Sequence, residues 1–401
     1  MANVSSSNGL EKRPKLRFPG FDDPYRKCRI GDIYGERSQR GAGDIELLSV
    51  TMNDGVMPRT EIEGKDNSSE DKSNYKVVCK GDMVYNSMRM WQGANGVSNY
   101  DGIVSPAYTV LMPTEEIDNQ YFAALFKTSN LINEFRKNSQ GLTSDTWNLK
   151  YPQIRPIRLC IPSLQEQNKI SSFIGTLEER ISKQRQLVDS LKKYKRGAVR
   201  SLLSAKSCPL KNASWTTAKM GELGYFIKGA PLSKADISED GTPFILYGEL
   251  YTTYNEVVTS VKRRTQAQID ETFLSRVGDV VIPTSGETPE EISTASCVML
   301  PDVILAGDLN IFRGDKVDGR IMSYLLNHVV NGKIARIAQG KSVVHIQASE
   351  LCKLTLTYPD KNTQNTIIGF LSLLDDKIMN EENLLAFLSV LKEGLLQQLF
   401  I

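Results

Sequence analysis

The chain has only two histidines in 401 residues, His328 and His345, so imidazole-based acid–base or metal chemistry has little to work with. Its six cysteines (Cys28, Cys79, Cys160, Cys208, Cys297, Cys352) are scattered and never form a C-x-x-C pair. That excludes a disulfide framework and a cysteine-built zinc site, and it fits a reducing, cytoplasmic setting. No apolar run approaches ~18 residues, so no membrane span is expected. The stretch from Met1 to Gly20 lacks the apolar core of a signal peptide and reads as a disordered tail. A formal net charge of +2 excludes a strongly basic carpet. Any contact with nucleic acid must come from local patches.

Catalytic signatures are missing too. Methylation of a base amino group calls for an N/D-P-P-Y/F motif and a Gly-rich cofactor loop, and neither is present. "QGKSV" at 339–343 suggests a phosphate loop, but G-x-x-x-x-G-K-[ST] needs glycine where Ala335 stands. "PTSGE" at 283–287 has Pro283 where a nucleophile elbow needs glycine. The acidic pairs Glu115/Glu116 and Glu290/Glu291 read as solvated surface.

What is present is a long repeat. "IPSLQEQNKISSFIGTLEERI" at 161–181 returns 197 residues later as "YPDKNTQNTIIGFLSLLDDKI" at 358–378. Matches such as Gln167/Gln364, Ile170/Ile367, Phe173/Phe370, Leu177/Leu374 and Ile181/Ile378 fall mostly at apolar positions with helical spacing. Each copy carries an apolar seam with a seven-residue repeat, the mark of a coiled coil. One seam is Ile174, Leu177, Ile181, Val188, Leu191, Ala198 and Leu202. The other is Leu371, Leu374, Ile378, Leu385, Leu388, Leu395 and Leu399. The spacing predicts helices from about Leu164 to Leu203 and from about Lys361 to Phe400, each ~60 Å long. Ser163 and Glu166 form a capping box at the first start. At the second start Asp360 can cap, with Thr363 in place of the glutamate.

Charge sets the direction of pairing. From Arg180 to Arg200 the first helix carries Arg180, Lys183, Arg185, Lys192, Lys193, Lys195, Arg196 and Arg200 against one acid, Asp189. The second has Asp375, Asp376, Glu381 and Glu382 near its start. An antiparallel pair sets these opposite charges side by side. The basic run otherwise reads as a solvated helix face rather than a phosphate contact.

The segments ahead of the helices look mixed α/β and share a faint frame. "IGDI" at 30–33 parallels "MGEL" at 220–223, "KGDMVYNS" at 80–87 parallels "VGDVVIPTS" at 277–285, and "NSQG" at 138–141 parallels "IAQG" at 337–340. Gly-Asp before apolar residues marks a turn entering a buried strand. Between these anchors the two copies diverge.

This order of segments, with "IPSLQEQNKI" opening one helix and "LLQQLF" closing the other, resembles the DNA-specificity subunit of type I restriction–modification systems over essentially the whole chain. The resemblance implies an α+β protein with two similar mixed α/β target-recognition domains. Two long helices, paired as an antiparallel coiled coil, separate them with pseudo-twofold symmetry. The implied layout is a tail at 1–20, a recognition domain at 21–158, a central helix at 161–205, a second recognition domain at 209–357 and a C-terminal helix at 360–401. It implies a non-catalytic chain that binds double-stranded DNA and no cofactor of its own. Two modification subunits would bind S-adenosylmethionine, and restriction subunits would use ATP and magnesium. A rod of ~60 Å suits two readers held at fixed separation, because turns of B-DNA recur every ~34 Å. Two other classes stay open: a coiled-coil scaffold that reads no DNA, and a self-contained restriction or methyltransferase polypeptide.

Sequence readout needs amides and bidentate donors at base edges, with hydroxyls and basic groups on phosphates. In the first domain "NSMRMWQGANG" offers Asn86, Ser87, Arg89, Gln92 and Asn95, while Trp91 either stacks on DNA or anchors a core. "SQGLTSD" adds Ser139, Gln140 and Thr143, or is a plain connector. Arg59 and Lys65 lie in a long polar insertion at 57–74 and could clamp phosphates. The second domain offers Thr284, Ser285, Lys341, Ser342 and His345. Glu287 could accept from a cytosine amino group, or be a surface carboxylate. "KRRTQAQ" at 262–268 offers Lys262, Arg263 and Arg264 for phosphate contact, or is a solvated loop or helix start. Gln167, Phe173, Gln364 and Phe370 recur outside the seam, facing either modification subunits or the chain's own domains.

Overall fold

The structure is a computed structural model that describes residues 13–41, 45–52, 55–64, 66, 68–338 and 344–400, without the side chain at position 290. Two compact units divide the chain. The first joins 1–185 to 383–401, and the second is 186–382.

The two long helices run Leu164–Leu202 and Lys361–Leu399. At ~1.5 Å per residue each is ~58 Å long. The Glu166 amide donates to Ser163 Oγ at 3.4 Å, half of the expected capping box. The other half is absent, because the fully buried Glu166 carboxylate is taken by Arg17 at 2.7 Å and by the Tyr25 hydroxyl at 3.2 Å. At the second start the Thr363 amide donates to Asp360 Oδ1 at 3.0 Å and the Ser214 amide to Asp360 Oδ2 at 2.9 Å. These bonds hold the Asp360 carboxyl well below the usual carboxylate range.

Each unit contains one end of both helices, and in each the helices run antiparallel. In the first unit Ile170 and Ile174 share a core with Leu395 and Leu399, and Lys392 pairs with Glu178 at 2.6 Å. In the second unit Val199 and Leu203 share a core with Ile367 and Leu371. Lys192 meets Glu382 at 2.6 Å, and Lys195 meets Asp375 at 2.6 Å. The basic end of one helix thus faces the acidic start of the other, as charge dictates. Ile174, Ile181, Val188, Leu371, Leu374, Ile378, Leu388 and Leu399 are buried. Leu177, Leu191, Leu202, Leu385 and Leu395 are half-buried. Near the end of the first helix the buried residues are Val199 and Leu203 rather than Ala198 and Leu202, a one-residue slip. A helix at 3.6 residues per turn drifts against a seven-residue pattern, and here it is the second unit's core that it meets.

The sheets repeat as well. In the first unit Tyr34–Glu36, Tyr108–Pro113, Met83–Asn86 and Asn95–Val97 form an antiparallel sheet in that order. In the second, Tyr225–Lys228, Leu309–Arg313, Asp279–Pro283 and Ser296–Val298 follow the same order. Val257–Val258 adds a parallel edge strand to it. Met83–Asn86 and Asp279–Pro283 are the strands expected after the Gly-Asp turns, and Gly81 and Gly278 hold φ of 94° and 96° there. Glycine adopts that left-handed conformation without a Cβ clash. One further strand pair in each domain closes it onto the start of its long helix. These pairs are Arg26–Arg29 with Arg158–Ile161, and Trp215–Lys219 with Thr355–Pro359.

Residues 13–20, expected within a disordered tail, are tied down instead. The Leu16 amide donates to the Gln398 carbonyl at 2.9 Å, Arg17 is paired as above, and Phe18 packs edge-on against Phe173 at 5.6 Å. One buried carboxylate, Glu166, is enough to fix this stretch, since leaving that charge unpaired costs several kcal/mol by order of magnitude. Residues 1–12 lie outside the described residues.

Candidate nucleic-acid interface

At the ends of the corresponding central strands, Met83–Asn86 in one unit and Asp279–Pro283 in the other, the two units make the same connection. The Leu149 amide donates to the Ser87 carbonyl at 2.8 Å. In the second unit, 197 residues on, the Ile346 amide donates to the Thr284 carbonyl at 3.0 Å. The first bond joins the residue after one central strand to the end of the loop at 139–148, and the second joins the residue after the other central strand to the residue after Val344–His345. Separate polar stretches of sequence therefore meet at one place in each domain.

In the first unit this place holds a turn, Met90–Gln92, and the loop at 139–148. Arg89 is exposed and its Nη1 donates to Gln92 Oε1 at 3.3 Å. Gln140 and Thr143 are exposed, and Ser139 is half-buried with its hydroxyl on the Phe135 carbonyl. Trp91 is an anchor. Its Nε1 donates to the Met88 carbonyl at 3.0 Å and its ring meets Trp147 edge-on at 5.2 Å. Asn86 spends its Oδ1 on the Met88 amide.

Ser87 and Asn95, expected to reach DNA, are buried. Ser87 Oγ pairs with Thr109 Oγ1 at 2.8 Å, and Asn95 Nδ2 donates to the Gly93 carbonyl at 3.1 Å. The Ser87 hydroxyl and the Asn95 Nδ2 find their partners inside, while Asn95 Oδ1 is buried without one. Arg59 also faces inward, donating to the carbonyls of Ile62 at 2.6 Å and Gly64 at 3.0 Å, so it braces the insertion. Lys65 lies outside the described residues.

In the second unit Ser285–Gly286 pairs with Val344–His345, setting Ser285 opposite His345. Thr284 and Ser285 are half-buried and His345 is exposed. Lys341 and Ser342 lie outside the described residues. Glu287 is exposed, and its amide donates to Glu291 Oε2 at 2.8 Å. Two tyrosines that sequence reasoning missed sit near here. Burial raises the Tyr251 hydroxyl pKa, with Tyr247, Glu291 and Glu287 adding to it, and the Tyr247 and Tyr251 rings lie 6.4 Å apart. No spacing marks a tyrosine in "LYGELYTTY" as a surface group.

Lys262 lies on a loop, as one reading had it, whereas Arg263 and Arg264 are on a strand, and all three are exposed. Arg263–Thr265 is a strand paired with Thr242–Ile245. Arg263 Nε meets Glu249 Oε1 at 3.2 Å and Arg264 Nη1 meets the Gly241 carbonyl at 2.9 Å, while Lys262 is exposed. The repeated glutamines are internal as well. Gln167 accepts from the Asp118 amide at 3.1 Å and donates to the Pro162 carbonyl at 3.0 Å. Phe173 and Phe370 are each 40% exposed. Among the described residues no helix is long and apolar enough to cross a membrane, and no group of three or more His, Cys, Asp or Glu could hold a metal ion.

The chain matches the family model described as type I restriction modification DNA specificity domain twice, over residues 29–192 and 212–388. No curated protein matches it. Among solved structures it is similar to the type I restriction-modification system S subunit from M. genitalium. The TM-score is 0.60 at 14% identity, covering 97% of this chain and 99% of that one. It is also similar to a chain from work on the structural basis underlying complex assembly and conformational transition of the type I R-M system. There the TM-score is 0.58 at 16% identity, covering 96% of this chain and 99% of that one.

Proposed function

Because the chain belongs to the type I restriction modification DNA specificity family, we propose that its two units each read one half of a split DNA target and that the paired helices set the gap between the halves. It is the DNA specificity subunit of a type I restriction–modification system, the non-catalytic component of that assembly. In this reading residues 21–158 and 209–357 are the two target-recognition domains, and 161–205 and 360–401 form the spacer. Two modification subunits bring S-adenosylmethionine and the methyl transfer. Restriction subunits bring ATP hydrolysis, magnesium and cleavage.

One observation carries the reading. The same main-chain link, Leu149 to Ser87 and Ile346 to Thr284, recurs 197 residues apart and bears different side chains each time. Arg89, Gln92, Gln140 and Thr143 stand around the first, and Thr284, Ser285, Glu287 and His345 around the second. Phosphate contacts position a protein on DNA and base contacts specify sequence, so a repeated frame with divergent polar tips suits two readers with different targets. A scaffold that only joins proteins explains the helices but leaves those tips without a role.

The test is to express the chain with its modification subunits in a methylation-free host and map every modified base. The expected result is a target in two blocks separated by a fixed number of unread pairs. A single continuous block, or modification without any sequence preference, would refute the reading.

A further inference from the structure

Leu142 is fully exposed, at 101% of its reference area, the most exposed large apolar side chain among the described residues. From Ser139 to Thr146 every other residue is glycine or polar. A lone exposed leucine is ordinary on a floppy loop, but this loop is braced. Gln140 and Asn148 exchange two main-chain bonds, of 3.0 and 2.8 Å. The Thr146 amide donates to the Thr143 carbonyl at 3.0 Å, and the Thr143 amide donates to Thr146 Oγ1 at 3.2 Å. Gly141, just before the leucine, holds φ of +140°, and a Cβ there would lie 2.6 Å from the Thr146 carbonyl oxygen. The loop's base is fixed by the Leu149–Ser87 bond and by Trp147 against Trp91.

A tip held this firmly keeps one apolar side chain in water while polar groups surround it. A protein partner would need an apolar patch many times larger. A single leucine matches a different opening, the gap between two stacked bases once they are prised apart. The hydroxyls and amides of Gln140, Thr143 and Ser144 suit the sugar–phosphate edges beside such a gap.

We propose that Leu142 is an apolar wedge that enters one base step of the half-site read by the first unit, partly unstacking it. The step it selects is a pyrimidine–purine step, because those unstack at least cost. Specificity then arises at a position no hydrogen bond reads. The proposal rests on the DNA-reading function above.

The test uses the chain assembled with its modification subunits and a cognate duplex bearing 2-aminopurine at successive positions of that half-site. The wild type is expected to brighten one step, and Leu142→Ala to abolish the signal and raise Kd about ten-fold. Leu142→Met is expected to restore both, which separates the wedge from any folding defect. On a duplex with an abasic site at that step the Leu142→Ala deficit is expected to shrink to about two-fold or less, since the unstacking cost is removed. Leu142→Ala binding the intact duplex like wild type, or no step brightening, would overturn the wedge while leaving the reading intact. A wild-type assembly that does not distinguish cognate from scrambled duplex would instead sink the reading itself.

Discussion

Gln364 accepts the Asp318 backbone N–H on its Oε1 at 2.9 Å and donates its Nε2 to the Pro359 carbonyl at 2.8 Å. Asp318 is the N-cap of the helix Gly319–His328, so one amide ties that helix to the first turn of the second long helix. Gln167 does the same for Asp118 and Pro162 in the other unit. Gln364→Ala and Gln167→Ala each strand a half-buried donor and a buried acceptor. Each is expected to lower stability by about 1–3 kcal/mol. Urea denaturation of the purified chain checks this, and an unchanged midpoint would show that the bonds are dispensable.

Lys195 is buried beside Glu256 at 2.7 Å and Asp375 at 2.6 Å, and His328 also bonds Glu256. Burial alone would raise the Glu256 carboxyl, but the bonds from His328 and Lys195 outweigh it and hold the pKa at about 2. The folded pKa lies below the unfolded value near 4.5, so the stabilisation is complete above pH 4.5 and is lost as pH falls toward 2. The size is on the order of 3 kcal/mol. Thermal unfolding of Glu256→Gln is expected to show a shallower loss of stability over that window than wild type. Parallel curves would count against the assignment.

Arg89 and His345 belong to different units. Arg89→Ala in the assembled complex is expected to cost about 1–3 kcal/mol of binding and to relax one position of one half-site if it contacts a base. If it contacts a phosphate, all sequences weaken equally and the salt slope falls by about one. His345→Ala is expected to act on the other half-site only. Competition binding against libraries randomised in one half at a time separates these outcomes. Both variants altering the same half would contradict separate readers.

Removing seven residues from each long helix keeps the apolar seam in phase and shortens each rod by about 10 Å. The gap in the target is expected to shrink by about three base pairs, at ~3.4 Å per pair, with both half-sites unchanged. Mapping modified bases in a host carrying the shortened chain reads this directly. A changed half-site would show that spacing and reading are not separable.

The helices were legible because an apolar seam needs only periodicity, and the central strands because Gly81-Asp82 and Gly278-Asp279 mark positive-φ turns ahead of buried runs. What completes those turns was not legible. Asp82 is held by Arg37, just past the strand Tyr34–Glu36, at 2.6 Å, and Asp279 by Arg313, at the end of the strand Leu309–Arg313, at 3.0 Å. The aspartates are fixed by the local turn, whereas the cation arrives from the adjacent strand in one sheet and from beyond a non-adjacent strand in the other, so no spacing encodes it. Polar loop residues were the least legible. Ser87 and Asn95 read like Arg89 and Gln92 in sequence, yet pairing with Thr109 and Gly93 turns the first two inward. The strand at 263–265 escaped notice because its partner, 242–244, lies well outside any local window. Leu142 was passed over for the opposite reason: an apolar residue does not look like a surface reader.

The bonds from Leu149 to Ser87 and from Ile346 to Thr284 use only main-chain atoms. Their strength is indifferent to which side chains sit between the attached ends. In the proposed reading a substitution at Arg89, Gln92 or Thr143 therefore alters which DNA is chosen and leaves these main-chain bonds in place. On that reading a lineage drifts from one target to another by single exchanges at the tips, the main-chain mount being kept at each step.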